Sequence, residues 1–194
     1  MRASLKCLNT DLDVRPLLTS IEAQPDLWDQ IQARQLTPGS PHVDTRSIFL
    51  RWSAQQTIEA VFNDVESIDY PAFNQLPQAR DLLAQTAAIV GAKQIARVML
   101  VSLKPGGTIT PHADEGVYAD TFERFHLVLQ SDYGNEFHVD ELDPRIWQTA
   151  MMRSGELWWF NHKRTHWVEN FSNRERIHLI MDMLAPEYRT ERGE

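Results

Sequence analysis

Three observations predict that this chain is mainly β, a sandwich or jelly roll with helices packed on one outer face. The C-terminal half breaks into short β-type segments separated by turn residues. Two of these segments alternate in the same unusual way. In 123–130, Phe125, Leu127 and Leu129 share one face, and Arg124, His126 and Val128 share the other. In 175–183, Ile177, Leu179, Met181 and Met183 lie opposite Arg176, His178, Ile180 and Asp182. Each thus sets Arg-x-His against an apolar ridge, which reads as a polar pocket between sheets with apolar packing behind it. Third, a helical stripe precedes these strands: Leu76, Ala79, Leu82, Leu83, Ala87 and Val90 recur at helical spacing.

Along the chain, helical signal is weak over 16–35. A helix is expected to begin at Asp26-Leu27-Trp28 after Pro25, and Pro38-Gly39-Ser40-Pro41 closes it as a loop. Residues 46–51 read as a strand, and 57–62 as a second short strand or an irregular segment. The clear helix covers 76–91, with Pro77 near its start and Gly91 as its stop. Residues 95–103 form a strand, Lys104-Pro105-Gly106-Gly107 a turn, and 108–112 the next strand. Residues 115–122 are a loop, either a solvated edge or a lid. Strands at 136–139 and 157–160 follow, with a loop at 140–152 that has room for a helical turn. Asn170-Phe171-Ser172-Asn173 reads as the hairpin into a last strand at 174–184, which Pro186 ends.

The length suits a single domain, 1–194: a mixed, partly helical part over 1–93 packing on a β core over 94–188. A hydrophobic content of 42% and six tryptophans exclude a disordered chain. The formal charge of −8 argues against nucleic acid and acidic membrane as partners. Cys7 is the single cysteine, so no intrachain disulfide forms. With no signal pattern and no membrane-length apolar run, the expectation is a soluble cytoplasmic protein.

The chemistry centres on Pro111-His112-Ala113-Asp114 and on His166 in Lys163-Arg164-Thr165-His166-Trp167. Residues i and i+2 of an extended segment project to one side, so His112 and Asp114 can grip one metal. Two imidazoles and a carboxylate are the set that holds Fe(II) on one face and leaves other positions open. Taken alone, His-x-Asp is common by chance, and His126 and His178 also fit hydrogen-bonded pocket histidines. His42, His138 and His162 receive no role.

In order and spacing, several stretches resemble the aspartyl/asparaginyl β-hydroxylase-like branch of the Fe(II)/2-oxoglutarate oxygenases, over about residues 97–188. They are Pro105-Gly106-Gly107 before Pro111-His112, Arg124-Phe125-His126-Leu127, Gly155-Glu156-Leu157 before an aromatic strand, His166 with Arg176 ten residues later, and Asp182 with Pro186-Glu187. The resemblance implies a double-stranded β-helix, a jelly roll of the cupin type, with Fe(II) as metal and 2-oxoglutarate as cosubstrate. It implies His112 and His166 as metal ligands, Arg176 as clamp for the far carboxylate of 2-oxoglutarate, and His126 beside its other carboxylate. Asp114 departs from the animal peptide hydroxylases, which have no carboxylate there, and completes the triad found in most 2-oxoglutarate enzymes. A family serine lines up with Val101; Ser102, one residue on, is the candidate for that contact.

Arg124 and His178 are the candidate substrate-binding residues. The partner of Arg124 is either internal, Asp182 or Glu136, or a substrate carboxylate. The function that follows is a dioxygenase using molecular oxygen to hydroxylate a carbon of an amino acid, free or in a peptide or protein, with a carboxylate-bearing substrate. The alternative is a cupin-like metal-binding protein that binds a small acid without oxidising it.

Overall fold

The structure is a computed structural model and describes residues 4–190 other than 56, 142 and 144. In chain order the elements are β1 (Leu5–Asn9), α1 (Arg15–Glu22), a 3₁₀ turn (Pro25–Leu27), α2 (Ala33–Leu36), β2 (Thr45–Trp52), α3 (Ile58–Asn63) and β3 (Ile68–Asp69). Then come α4 (Pro71–Gln75), α5 (Gln78–Val90), β4 (Gln94–Leu103), β5 (Thr108–His112), α6 (Gly116–Thr121) and β6 (Glu123–Gln130). The chain continues through β7 (Asn135–Asp140), β8 (Trp147–Ala150), β9 (Leu157–Phe160), β10 (His166–Asn170) and β11 (Arg176–Leu184), and a 3₁₀ turn at Pro186–Tyr188 follows.

Two antiparallel sheets form. The larger has the order β1-β9-β6-β11-β4-β2-β3, and the smaller β5-β10-β7-β8. Two opposed antiparallel sheets with these crossings make the double-stranded β-helix.

The ridges of β6 and β11 behave as their alternation requires. Phe125, Leu127, Leu129, Ile177, Leu179, Met181 and Met183 all enter one core, on the outer face of the large sheet. The α5 stripe covers that face: Leu76, Ala79, Leu82, Leu83 and Val90 are buried in the same core, with Leu17 and Ile21 of α1 beside them. Gly91, in the left-handed region at φ 63°, terminates α5. A second core, with Leu103, Val128, Phe137, Val139 and Phe160, fills the space between the sheets.

Several expectations are corrected. Residues 57–62 are helical, because Thr57 caps α3 by accepting from the Ala60 N–H at 3.2 Å. Residues 115–122 hold α6, which starts at Gly116 with φ 93°; a Cβ there would stand 2.5 Å from the Phe62 carbonyl, so only glycine permits this approach to α3. The helix expected from Asp26 shrinks to the 3₁₀ turn and the four residues of α2. The 140–152 loop contains β8, an edge strand. Residues 170–173 make no hairpin, because β10 and β11 belong to different sheets and the chain crosses between them there. The N-terminal part also enters the large sheet directly, β1 beside β9 and β2 beside β4.

Leu100 lies at the centre of β4 and is fully buried under α5. Leu100→Ala is expected to lower stability by about 2–5 kcal/mol, measured as a drop in the urea unfolding midpoint.

Candidate metal centre

His112 ends β5 and His166 begins β10, and the two are direct partners across the small sheet. Their ring centroids lie 4.3 Å apart. In each ring Nδ1 meets a backbone carbonyl two residues back: His112 with Thr110 at 2.8 Å, His166 with Arg164 at 2.9 Å. A carbonyl only accepts, so Nδ1 carries the proton and Nε2 presents its lone pair. Asp114 follows in the turn after β5, where its N–H donates to the His162 carbonyl at 2.9 Å. The ligand atoms of His112, Asp114 and His166 all lie within 4.8 Å of one another. The strand geometry thus brings together the three residues expected to hold one ion.

The electrostatics favour a cation. Burial pushes the His166 imidazole down to about 3, with the neighbouring His112 adding to the shift. Burial lowers His112 as well. Both rings are therefore neutral donors at neutral pH. Burial alone would raise the Asp114 carboxyl, but the Arg124 charge and the adjacent imidazoles outweigh it and hold the group ionised.

Arg124 departs from the role expected of it. Its Nε and Nη2 donate to the two oxygens of Asp182 at 2.8 and 2.9 Å, and Nη1 donates to Asp114 Oδ2 at 2.6 Å. The partner is internal, Asp182, which faces Arg124 directly across β6 and β11. The guanidinium tethers one oxygen of Asp114 and leaves the other for an ion. Behind this pair, the Tyr118 hydroxyl donates to Asp182 at 3.1 Å and accepts from the Arg97 N–H at 3.0 Å.

Arg176, His126 and His178 form a separate buried group. Arg176 is 2% exposed, and its Nη2 has no partner among the described residues. His126 and His178 face each other with Nδ1 atoms 3.4 Å apart, and Nε2 of each is also unpartnered. Burial, then the Arg176 charge, holds both rings well below their ordinary range. The Phe137 ring joins this group to the triad: its centroid lies 5.7 Å from Arg176 Cζ, and it stacks 6.2 Å from His166. His178 therefore belongs beside Arg176, away from the cavity described next.

Ser102 does not reach the site. It pairs with Ile177 on β11 and Arg46 on β2, so it shares the face turned to the helices. Val101 pairs with His178 and faces inward, and Ser47 of β2 stands beside it with a buried, unpartnered hydroxyl.

A cavity of about 440 Å³ opens onto His112 and Asp114. The α2–β2 loop, α3 and α6 contribute its walls, and Arg34, His42, Trp52 and Phe62 are among its lining residues. None of these four was singled out by the sequence, and neither was Tyr118. His42, set edge-on to His112 at 5.0 Å, offered no signal beyond its residue type.

A jelly roll that carries two histidines and one carboxylate at one end of its small sheet defines a class, the double-stranded β-helix proteins with a single-metal site. Within that class, the chain belongs to the aspartyl/asparaginyl beta-hydroxylase family, whose model matches residues 45–186. It is 27% identical over 135 residues to L-proline cis-4-hydroxylase of Rhizobium meliloti (strain 1021). The match covers 70% of this chain and 45% of that protein, so the chain spans less than half the length of this relative. Among solved structures, it resembles a Pseudomonas putida prolyl-4-hydroxylase with a TM-score of 0.57 at 13% identity, covering 94% of this chain and 93% of that one. A prolyl hydroxylase from Trichoplax adhaerens gives 0.62 at 11% identity, covering 97% and 86%. At these identities the structural likeness is one of fold. Among the described residues no helix is long and apolar enough to cross a membrane.

Two predictions follow from this geometry. His112→Ala or His166→Ala is expected to abolish stoichiometric Fe(II) binding while the circular dichroism stays native, because each removes an inner-sphere bond and little core volume. Asp114→Ala should keep part of the affinity. The second concerns pH. His126, His166 and His178 titrate lower in the folded protein than in the unfolded chain, which takes up protons near about pH 6.5. The unfolded state then binds more protons, so the metal-free protein should lose stability as pH falls below that value. The slope is up to about 1.4 kcal/mol per pH unit per histidine, read from urea midpoints between pH 7.5 and 5.5.

Proposed function

We propose that the protein is an Fe(II)- and 2-oxoglutarate-dependent dioxygenase that hydroxylates a carbon of a carboxylate-bearing amino acid, free or within a peptide. The observation that carries this reading is Arg176. Among the described residues no acid pairs with this buried guanidinium, which is costly to desolvate, and burial lowers its pKa to about 9. A bound anion removes that cost, and a dicarboxylate that reaches a metal with its other end would satisfy both halves of the site. A cupin that merely held a metal and a small acid would have no need of this second, buried cation.

In this reading His112, Asp114 and His166 hold the ion, Arg124 fixes the Asp114 carboxylate, and Arg176 takes the far carboxylate of 2-oxoglutarate. His126 and His178 line the same socket as neutral rings, and Ser47 offers it the hydroxyl that Ser102 cannot. When bound, iron and 2-oxoglutarate supply the oxidation by molecular oxygen that converts a substrate C–H to C–OH, with succinate and CO₂ as coproducts. The chain's own part is to orient the substrate and exclude water, which the walls of the 440 Å³ cavity suit. The whole chain acts as one domain, with 94–188 carrying the metal centre and 1–93 closing the cavity. Support comes from the family and from the R. meliloti relative, which is named L-proline cis-4-hydroxylase.

The test is succinate formation from 2-oxoglutarate with Fe(II) and a panel of free amino acids and peptides. Arg176→Ala is expected to weaken 2-oxoglutarate binding by about two orders of magnitude or more, the scale of a truncated buried charge pair. Equal affinity in wild type and variant, by calorimetry, would assign the clamp to another cation.

A further inference from the structure

We propose that Arg34 is the carboxylate anchor for the substrate, and that the substrate is a monocarboxylate with a sizeable apolar body. This rests on the proposed function for the reaction, but the anchor itself is argued from the cavity.

Three guanidinium groups line the cavity. Two are already engaged by the chain's own carbonyls or carboxylates, although the buried Nε of Arg97 has no partner among the described residues. Arg97 donates to the carbonyls of Val61, Ala60 and Asp64 at 2.7, 2.8 and 2.9 Å. All three nitrogens of Arg124 are engaged by Asp182 and Asp114. Arg34 differs. Its Nη1 lies 3.2 Å from the sulfur of Met99, a weak acceptor, and among the described residues no carboxylate or carbonyl accepts from its side chain. The acids whose charges act on it, Asp114 and Asp182, are the two that Arg124 holds. Burial and the Arg124 charge push the Arg34 guanidinium down to about 10, the sign of a cation short of counter-charge. On the loop after α2, the buried Nδ1 of His42 has no partner among the described residues.

An arriving carboxylate would meet an N–H fork whose existing contact with a thioether is easily given up. The remaining wall sets the rest of the ligand. Phe49, Trp52, Val61, Phe62 and Phe122 leave it mainly apolar, and about 440 Å³ lies in the range of drug-sized sites. His112 and Asp114 line the same cavity, so a ligand held at Arg34 can present a carbon of its apolar body to the metal site. Arg176, His126 and His178 are absent from this lining, so the cosubstrate socket does not compete for the same space.

The test uses calorimetry on the full chain with three acids, octanoate, 4-phenylbutyrate and N-acetyl-phenylalanine, each against its primary amide. Wild type is expected to bind at least one acid about tenfold or more tighter than its amide, the scale of one charge-assisted contact. Arg34→Ala should bind acid and amide alike, and Arg34→Lys should keep a reduced preference. Arg176→Ala should keep the full preference while losing 2-oxoglutarate. The proposal is overturned if wild type binds none of the acids or shows no preference. It is equally overturned if the preference survives in Arg34→Ala or disappears in Arg176→Ala, which would seat the probe at the cosubstrate socket. Should Arg176→Ala bind 2-oxoglutarate normally while Arg34 still governs the preference, the oxygenase reading fails and the anchor stands.

Discussion

The site depends on the buried chain of charges Asp114–Arg124–Asp182. It joins the turn after β5 to β6 and β11, and so fixes the end of the small sheet against the large one. The guanidinium takes both oxygens of Asp182 and one oxygen of Asp114, and the neighbouring imidazoles of His112 and His166 are held neutral by burial. Removing one partner of such a pair costs about 3–5 kcal/mol, because the other charge is left buried and alone. Tyr118 and Arg97 extend the arrangement one layer outward: burial and then Asp182 hold the Tyr118 phenol well above its ordinary range, so it stays a donor to that acid. Through Tyr118, α6 is tied to the metal centre.

The three arginines that bear on the chemistry show how far environment, and not residue type, sets a role. Arg124 is saturated by the acids Asp182 and Asp114. Arg176 is buried, and among the described residues its Nη2 has no partner and no acid pairs with it. Arg34 stands at the cavity wall over a sulfur. In the sequence, Arg124 and Arg176 sit in identical Arg-x-His patterns, and nothing in the pattern separates a tether from a socket. What separates them is the cross-strand neighbour: Asp182 faces Arg124, whereas Leu103 faces Arg176 on β4.

Much of the fold was legible because period and burial coincide. The ridges of β6 and β11 alternate, and the α5 stripe repeats at helical spacing, since each packs one face into a single core. The His112–Asp114 pair was legible from an extended i, i+2 spacing that needs no knowledge of tertiary structure, although β5 itself stops at His112 and Asp114 lies just beyond it. The failures are of another kind. In α3, Ile58, Val61 and Phe62 are exposed or face the cavity, so their apolar character marks a wall and not a core stripe. Ser102 fails by parity. One residue decides which face a strand residue joins, and that is set by pairing with Ile177. Arg34 acquires its meaning from Met99, 65 residues away, a contact no local pattern encodes.

The same distinction explains why the cavity is built from the segments that were hardest to read. A wall that must admit a ligand cannot be buried against its own chain, so it lacks the regular apolar repeat that packing imposes. Its elements are short for that reason: α2, α3 and α6 run four to six residues and are held by specific devices in place of a continuous core. Thr57 caps α3, Gly116 lets α6 press against it, and the Ser40 hydroxyl donates to the Arg34 carbonyl to fold the loop back. Arg97 completes the set by gathering the Ala60, Val61 and Asp64 carbonyls at the end of α3, with its guanidinium stacked on Trp52 and Tyr118. Thr57, Gly116 and Ser40 each act on one neighbour and Arg97 on several, so the wall rests on a few single residues while the jelly roll behind it keeps its own core. The cavity wall therefore draws on both parts of the chain, α2 and α3 before β4 and α6 after it, and through Tyr118 α6 also reaches the Asp182 carboxylate.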